Sequence, residues 1–523
     1  MRPFPIALLM YASASLQAQG TRHWLPEERA VASDYSIVQA LAADDARLYV
    51  ATRNGLGIYD VRFRQWELPV SFLDGYPRAQ VTVALADPAE DAVWLGTVGG
   101  LFRYRPQIRQ WESFSVGGGV LDLMYDGDDP LRGIYIRTRS GWDVLRLGGG
   151  IPTPAVDLPA PARRVGSMSV EELFNRFPAA DALRAQVLTD ERLRTFRYTA
   201  AVRVPNREDM YLGTNGMGVI HLDVGIVRFE PLPFGLLAPG VGAVFAVPGG
   251  VWTGTDHRAR RTGFTFVDDR LQRYEWEEGA RATGFGFTGV RDLLMREDMI
   301  WAATDRGVVR FGPGRDAAER LTTGNGLPDN DAYALAQGPA GVWVGTAFGL
   351  AHVDDDDAIM QIGRGAPTPV LALAASRDTV WVGTTAGLGL AWPGGDGIMV
   401  PPDMQAVPEL KSAIVAVVVR GDTVGAATVD RLIWRGGPDG WRVERVLALE
   451  VGAIYALAPD AGGVWVGGEN GLGFFRFADR SFLLAARRAD LPGPVRDLAV
   501  SDEHLWVATE GGAVRFRKQA LRP

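Results

Sequence analysis

Four basic side chains stand close together in one short segment of the chain: His257, Arg258, Arg260 and Arg261. Guanidinium groups recognise carboxylates and phosphates through paired hydrogen bonds. The segment stands where comparable segments of the chain carry Gly-Gly-Leu, so we predict a loop that contacts a ligand or a protein partner. A surface loop without a partner is the alternative that the residues leave open.

Two acidic runs have the residue type of a calcium site but not its spacing. Asp354 to Asp357 are consecutive, and Asp126, Asp128 and Asp129 flank a glycine. Calcium prefers several oxygen ligands, which known loops space as D-x-[DN]-x-[DN]-G. We therefore expect solvated turns in both places, with a calcium site as the alternative, and no other cofactor.

The sequence contains no recognisable catalytic signature. Its five histidines are scattered, without an H-E-x-x-H motif or a pair at helical spacing, and no G-x-S-x-G motif occurs. The absence of cysteine excludes disulfides, thiolate zinc sites and cysteine nucleophiles. We predict no catalytic residue. The alternative is an enzyme that uses carboxylates at a channel mouth.

The composition is that of a folded globular protein. Of the 523 residues, 47% are hydrophobic and 22% are charged. The formal net charge of -8 leaves no surplus of Lys and Arg for a phosphate backbone, so nucleic-acid binding is disfavoured.

The N-terminus has the layout of a secretory signal peptide. Arg2 supplies a basic start, the residues from Phe4 to Ala12 are mostly apolar, and small residues follow as far as Ala18. The apolar stretch is shorter than the about 20 residues that span a bilayer. We expect residues 1–18 to be a signal peptide, the protein to be periplasmic or extracellular, and the mature chain to lack a membrane span.

A self-similar unit recurs about every 42 residues through the rest of the chain. Its clearest copies read V-W-L-G-T-V-G-G-L from Val93, V-W-V-G-T-A-F-G-L from Val342 and V-W-V-G-T-T-A-G-L from Val380. The aromatic position of the unit gives eleven anchors: Tyr49, Trp94, Tyr135, Tyr211, Trp252, Trp301, Trp343, Trp381, Gly425, Trp465 and Trp506. The copies at Tyr135, Trp252 and Gly425 are degenerate.

Each copy has the pattern of two strands joined by a tight turn. Alternating apolar residues rich in Val and Trp favour a pleated strand, and the glycines permit the turn. Further strands precede and follow each anchor, so each copy predicts one four-stranded blade of a β-propeller. We expect the anchor tryptophans to pack between neighbouring sheets.

The wide gap between Tyr135 and Tyr211 predicts a small helical insertion at about residues 163–200. Ser169 is a good helix N-cap, and Glu172 three residues later completes a capping box. A twelfth, degenerate blade is the alternative.

Eleven blades exceed the four to eight of a single propeller. We therefore predict two propellers, over residues 19–283 and 284–523, with one large ring as the alternative. No outer strand follows Trp506, whereas the segment around Trp24 resembles the outer strand around Trp66. We expect the strand near Trp24 to complete the last blade.

The copies resemble the two-component regulator propeller repeat, whose core is V-W-[VLI]-G-T-x-x-G-L. The likeness includes the segment G-L-P-D-N-D-A-Y from Gly326 that leads into the next blade. The resemblance implies a periplasmic sensor, of a kind often joined to a hybrid histidine kinase and in several cases associated with oligosaccharides. Related propellers occur in secretion-associated envelope proteins. This chain contains neither a kinase nor a membrane helix, so a signal would need a partner to carry it.

We therefore predict an exported β-propeller that binds an oligosaccharide, another small ligand or an envelope protein through the loop face of the ring, without catalysis. Two alternatives remain. One is a polysaccharide lyase or glycosidase, and the other is a structural subunit of an envelope or secretion assembly.

Overall fold

The computed structural model describes residues 24–125, 133–146, 148–155, 158, 167–176, 188–189, 194–207, 209–223, 228–278, 286–313, 318–363, 368–436, 440–445 and 450–521. The expected signal peptide, the acidic run at 126–129 and part of the expected insertion lie outside these residues. The predicted all-β propeller architecture is confirmed, because the described strands form eleven antiparallel blade-like sheets.

The first strand, β1 (Arg29–Ala32), belongs to the last blade, and blades 1 to 4 follow it in the chain. Blades 1 and 2 consist of β2 (Val38–Ala43), β3 (Arg47–Thr52), β4 (Gly55–Asp60), β5 (Gln65–Trp66) and the short β6 (Val70–Ser71), then β7 (Val81–Asp87), β8 (Ala92–Thr97), β9 (Gly100–Arg105) and β10 (Gln110–Phe114). Blade 3 consists of β11 (Asp122–Tyr125), β12 (Gly133–Thr138), β13 (Gly141–Arg146) and β14 (Thr153–Pro154).

Blade 4 contains the expected helical segment. Its elements are β15 (Ser167–Met168), α1 (Val170–Arg176), the separate hairpin of β16 (Leu188–Thr189) and β17 (Thr195–Phe196), and the strands β18 (Tyr198–Arg203), β19 (Asp209–Thr214), β20 (Val219–Asp223) and β21 (Arg228–Leu232). The Ser169 hydroxyl accepts a hydrogen bond from the Glu172 N–H at 3.0 Å, which caps α1 as expected.

Blades 5 to 11 complete the chain. Blades 5 and 6 are β22 (Val241–Val247), β23 (Gly250–Thr255), β24 (Gly263–Asp268) and β25 (Tyr274–Glu278), then β26 (Val290–Arg296), β27 (Met299–Thr304), β28 (Gly307–Phe311) and β29 (Ala318–Leu321). Blades 7 and 8 are β30 (Ala332–Gly338), β31 (Gly341–Thr346), β32 (Gly349–Asp354) and β33 (Ile359–Ile362), then the three strands β34 (Val370–Ser376), β35 (Thr379–Thr384) and β36 (Gly387–Ala391), followed by α2 (Pro402–Gln405).

Blades 9 to 11 follow the same plan. They are β37 (Ala416–Arg420), β38 (Thr423–Ala427), β39 (Leu432–Gly436) and β40 (Arg442–Glu444), then β41 (Ile454–Asp460), β42 (Gly463–Gly468), β43 (Gly471–Arg476) and β44 (Phe482–Arg487), and last β45 (Val495–Val500), β46 (His504–Thr509) and β47 (Gly512–Arg517), with α3 (Lys518–Leu521) after them. Single turns of 3-10 helix lie at Phe72–Asp74, Thr323–Asn325, Pro408–Lys411 and Arg488–Asp490.

The repeat motif G-T-x-x-G is explained by the second hairpin of each blade. In blade 2 the Thr97 hydroxyl donates to the Gly100 carbonyl at 2.9 Å and accepts from the Gly99 N–H. Gly100 has a φ of 153°, which a side chain would disfavour. The strands on both sides of this turn bury the anchor residue, and Trp94 is fully buried between sheets.

The innermost strands show that blades 5 to 11 form one closed ring of seven. Each of them packs against the inner strand of the next blade, in the order β22, β26, β30, β34, β37, β41 and β45, and β45 packs against β22. In blades 1 to 4, β2 packs between β7 and β18, and β7 packs against β11. The ring therefore includes blade 5 (241–278), whereas the sequence analysis placed this blade in the first propeller region. The two assignments differ because closure of the ring depends on a contact between strands that are distant in the sequence.

The ring is closed by a strand from the N-terminal end of the chain. β1 pairs antiparallel with β47 and becomes the outermost strand of blade 11, with Val31 opposite Val514. Trp24 lies a few residues before this strand, is buried, and donates from Nε1 to Asp490 Oδ1 at 2.8 Å. From β1 onward, the chain thus leaves the ring to form blades 1 to 4 and returns to it at β22.

The two connections between the ring and blades 1 to 4 run side by side. Asp34 forms a β-bridge with Gly235, and the Leu236 N–H donates to the Ser33 carbonyl at 2.8 Å. Phe234 stacks on Tyr35 at 4.6 Å and on Trp66 of blade 1 at 4.0 Å between ring centroids. We call this paired segment the neck. Its buried aromatic residues join one hydrophobic core that extends into both units.

Candidate functional site

The basic segment predicted from the sequence forms the turn between β23 and β24 of blade 5. His257, Arg258 and Arg260 are exposed there, whereas Arg261 is largely buried. The turn is held by Asp256, whose carboxylate accepts the Arg258 N–H at 3.0 Å. The four residues therefore belong to one loop but lie in two different environments.

Arg261 contacts the other unit instead of solvent. Its Nε donates to Glu278 at 2.9 Å, its Nη1 donates to the Gly216 carbonyl of blade 4 at 3.3 Å, and its guanidinium lies 4.9 Å from the Trp276 ring. Arg194 from blade 4 also pairs with Glu278, at 2.8 Å. This geometry assigns Arg261 a structural role between the two units, and leaves the ligand prediction with the three exposed residues.

A cavity of about 260 Å³ opens beside this loop at one end of the ring. It lies over the inner strand of blade 5, between the inner strands of blades 11 and 6, and we call it the mouth pocket. Its lining residues are Gly242, Asp256, His257, Thr288, Gly289, Val290, Arg291, Asp305 and Arg496. Because loop and inner-strand residues meet there, the pocket lies on the loop face that the sequence analysis predicted for binding.

Two glycines allow blades 5 and 6 to approach closely enough to form the floor of the pocket. A Cβ atom at Gly242 would lie 2.2 Å from the Val290 carbonyl oxygen, and one at Gly289 would lie 2.6 Å from the His257 nitrogen. Both distances are too short for any side chain. Close contact between the two backbones therefore forms the floor of the pocket.

Two arginines flank the pocket at the same position of their inner strands. Arg291 of blade 6 and Arg496 of blade 11 follow the first residue of β26 and β45, and Gly242 holds this position in blade 5 between them. In the described inner strands of the ring, this position carries a charged side chain only in blades 6 and 11. The sequence V-R-D-L occurs at both places and is the signal that could have identified them.

Arg291 is engaged with the next blade. Its Nη1 donates to the Ala332 carbonyl at 3.1 Å and to the Asp331 carboxylate, and the guanidinium lies 4.3 Å from the Tyr333 ring. At the same position of the inner strand of blade 1, the side-chain oxygen of Gln39 accepts the Val81 N–H of blade 2 at 3.0 Å. Arg291 thus follows a blade-bridging pattern that is also present outside the ring.

Arg496 does not follow this pattern. In the described part of the chain its guanidinium donates to Glu510, on the turn between β46 and β47 of its own blade, and lies 5.5 Å from the Tyr455 ring. The exposed Arg258 places its Nη1 3.2 Å from the same carboxylate oxygen. The hydrogen bond from Arg496 lowers the pKa of Glu510 below its usual value. Two arginines from two blades therefore share one carboxylate at the rim of the pocket.

Two partly buried aspartates, Asp292 and Asp497, directly follow Arg291 and Arg496 in the inner strands. Asp292 accepts the Leu335 N–H of blade 7 at 2.7 Å, and Asp497 accepts the Val244 N–H of blade 5 at 2.9 Å. Burial, with the nearby charge of Asp497, raises the pKa of Asp292 to about 8, and burial raises that of Asp497 to about 6. Their bonds to backbone N–H groups make them links between blades.

The acidic run at Asp354 to Asp357 forms a turn on the side of blade 7. Asp354 Oδ1 accepts the Ala358 N–H at 2.8 Å, Asp355 pairs with Arg296, and Asp357 pairs with Arg310. Over the described ranges, no group of three or more His, Asp or Glu residues has a metal-binding arrangement. These ion pairs favour the expected solvated turn, and the calcium alternative stays a prediction.

The arrangement is suited to holding a polar ligand. The mouth pocket offers guanidinium donors at Arg291 and Arg496, an imidazole at His257, and carboxylate acceptors at Asp256 and Asp305. Proteins use such guanidinium, imidazole and carboxylate groups to bind hydroxyl-rich or charged small molecules.

No helix in the described ranges is long and apolar enough to cross a membrane.

No family model matches the sequence, and no curated protein does. Solved structures with a similar chain path include the extracellular domain of the putative hybrid two-component system BT3049 from B. thetaiotaomicron, with 14% identity and a TM-score of 0.44 over 92% of this chain and 82% of that one. The corresponding domain of BT4673 from the same organism gives 13% identity and a TM-score of 0.45 over 90% and 73%.

Two further solved structures have other described roles. PorZ, described as a surface component of the type-IX secretion system of Porphyromonas gingivalis, gives 13% identity and a TM-score of 0.46 over 92% of this chain and 74% of that one. A streptogramin B lyase gives 15% identity and a TM-score of 0.43 over 54% of this chain and 95% of that one. Extracellular domains of two-component systems are thus among the similar structures, as the resemblance of the repeat predicted.

Proposed function

We propose that this protein is an exported binding propeller and that the seven-bladed ring takes a small polar ligand, such as an oligosaccharide, in its mouth pocket. The observation that carries the proposal is the cavity of about 260 Å³ in which Arg291, Arg496 and His257 meet over the bare backbone of Gly242. Loop faces of rigid scaffolds are the usual place for binding residues.

The lining chemistry supports a ligand rich in hydroxyl groups or charges. Two acidic residues, Asp256 and Asp305, line the same cavity as Arg291 and Arg496. Carboxylates accept hydrogen bonds from hydroxyls, and guanidinium groups donate to ring and hydroxyl oxygens. The rings of Tyr333 and Tyr455 lie against the guanidinium groups of Arg291 and Arg496 and help to position them.

Binding is favoured over catalysis at the two nearby carboxyls whose pKa is raised, because both are already engaged with backbone N–H groups. Each of Asp292 and Asp497 accepts two backbone N–H groups, one from its own strand and one from a neighbouring blade. A general acid or base needs a carboxylate that can reach the substrate. The exposed charges of the pocket are arranged for recognition.

The proposal is tested by filling the pocket. Thr288 is exposed in the lining, and only its backbone N–H is used, in a bond of 2.8 Å to Asp305. We expect wild-type protein to be stabilised by a member of a panel of oligosaccharides and acidic sugars, by about 2.7 kcal/mol at one hundred times the dissociation constant. Thr288→Trp should abolish this thermal shift.

The control is Thr385→Trp, which adds the same side chain to the exposed turn between β35 and β36 of blade 8. This variant should keep the full ligand response. A ligand that stabilises Thr288→Trp as strongly as the wild type would show that the mouth pocket is not its site.

A further inference from the structure

The clearest unexplained feature at the rim of the mouth pocket is the carboxylate of Glu510, which Arg496 shares with Arg258 of the basic loop. Arg496 Nη2 donates to Glu510 Oε1, and Arg258 Nη1 lies 3.2 Å from that same oxygen. Arg496 comes from an inner strand of blade 11, whereas Arg258 comes from the basic loop of blade 5. Two guanidinium groups from separate blades that converge on one oxygen form an anion-binding pair.

Glu510 holds this pair only by surface interactions. It lies on the short turn between β46 and β47, its side chain is 30% exposed, and its partners Arg496 and Arg258 are 36% and 61% exposed. Ion pairs between exposed side chains contribute about 0–1 kcal/mol. The backbone bonds of the turn are made by Thr509, so the Glu510 side chain can leave the arginines without disturbing the hairpin.

We propose that Glu510 occupies the place of a ligand carboxylate, and that a carboxylate-bearing sugar displaces it from Arg496 and Arg258. This inference rests on the proposed function of the mouth pocket and names its ligand class. Most N–H donors of the two guanidinium groups are not used by Glu510, so an incoming carboxylate can form the paired bonds that guanidinium groups favour.

The acidic residues of the pocket narrow the ligand to one that also carries hydroxyl groups. Asp256 and Asp305 line the cavity, and each uses one oxygen to accept a backbone N–H, from Arg258 at 3.0 Å and from Thr288 at 2.8 Å. Their second oxygens would repel a bare anion but would accept hydrogen bonds from hydroxyls. A uronic acid presents a carboxylate and several hydroxyls on one ring.

The test is isothermal titration of wild-type protein and Glu510→Gln with sodium glucuronate, and with glucose and sodium acetate as probes that lack one of the two groups. If Glu510 holds the arginines in about four molecules of five, its removal should tighten glucuronate binding about fivefold. Glucose binding should be the same in both proteins, and acetate should bind more weakly than glucuronate.

Two arginine variants distinguish specific binding at this site from a general effect of positive charge. Arg496→Gln should remove the glucuronate response, whereas Arg270→Gln, at an exposed position in the turn between β24 and β25 of blade 5, should leave it unchanged. Equal losses in both variants would mean that only the overall positive charge of the protein matters, which contradicts the proposal.

The outcomes distinguish this inference from the proposed function. If glucuronate binding is blocked by Thr288→Trp but is unchanged in Glu510→Gln, the pocket stands and the displacement of Glu510 is wrong. If a neutral oligosaccharide binds in the pocket and glucuronate does not, the ligand class is wrong. If neither binds, the proposed function fails as well. Glu510→Ala, with thermal unfolding measured beside it, repeats the comparison should Glu510→Gln fold poorly.

Discussion

At the scale of single residues, the most unusual groups of the ring are the two aspartates of the V-R-D-L strands. Asp292 and Asp497 are partly buried, and each accepts N–H groups from its own and from a neighbouring inner strand. These bonds lower the pKa of each carboxyl, but the cost of burying the charge is larger. The folded protein therefore binds protons at these positions that the unfolded chain has already released.

This difference predicts a pH dependence of stability with a definite sign. The pKa is about 8 for Asp292 and about 6 for Asp497 in the folded state, against an ordinary value of 3.8. Both carboxyls contribute stability that is fully present below the ordinary value and is lost as pH rises through the folded pKa. We expect the free energy of unfolding to fall between about pH 4 and pH 8, by at most about 1.4 kcal/mol per unit and group.

The variant Asp292→Asn isolates one of the two contributions. Asparagine does not titrate, so the decline between pH 6 and pH 8 should become shallower than in the wild type, whatever constant cost the lost acceptor adds. Urea unfolding at a series of pH values measures both slopes. Parallel curves for the two proteins would show that Asp292 is ionised throughout this range.

At the scale of secondary-structure elements, the outermost strand of blade 11 is the part of the ring most distant in sequence from its neighbours. β1 and β47 are at opposite ends of the chain, and their pairing turns an exposed sheet edge into an interior strand. Val31 is buried against the core of blades 10 and 11, which also includes Trp24 and Phe516. Closure of the ring therefore depends on four residues near the N-terminus.

A charge in this strand should open the ring. Val31→Asp places a carboxylate at a position that is 1% exposed, and we expect a loss of at least about 3 kcal/mol in the free energy of unfolding. Val98→Asp, at a hairpin tip where the valine is 55% exposed, is the matched control and should change stability little. Denaturant unfolding followed by tryptophan fluorescence measures both. A similar small effect in the two variants would mean that β1 is dispensable for the ring.

At the scale of the whole molecule, the architecture is a seven-bladed ring into which blades 1 to 4 are inserted between β1 and β22. The anchors from Tyr49 to Trp506 predict the number of blades because the repeat is local: each hairpin is specified by its own Val, Trp, Thr and Gly residues. Which inner strands close the ring is a non-local property. Nothing around Val241 marks blade 5 as the neighbour of blade 11, since the contact joins β22 and β45, which are far apart in the sequence.

The candidate site, like the ring closure, could be predicted from the sequence only where the signal is local. The basic loop at His257 to Arg261 was visible because it departs from the repeat, but the sequence could not separate Arg258, which shares Glu510, from Arg261, which contacts blade 4. Arg496 was hidden inside an ordinary inner strand. Its role follows only from its neighbours in space, Tyr455 and Glu510, and from the absence of a side chain at Gly242.

The neck determines whether the two units behave as one body. Phe234 is 4% exposed and stacks on Tyr35 and Trp66, while Tyr274 of the ring meets it edge-on at 5.6 Å. Since this single side chain contacts both units, we expect Phe234→Ala to cost about 3–5 kcal/mol.

The same substitution should uncouple the unfolding of the two units. Wild-type protein should show one calorimetric transition, because the shared core melts with both units, and Phe234→Ala should show two. Phe348→Ala removes an equal side chain that is 59% exposed on blade 7 and should leave the single transition in place. If Phe234→Ala keeps one transition at the wild-type temperature, then the backbone pairing at Asp34 and Gly235, with the Arg261 contacts to Glu278 and Gly216, is sufficient to join the units. The aromatic stack would then contribute to local packing in blade 1 and not to the coupling.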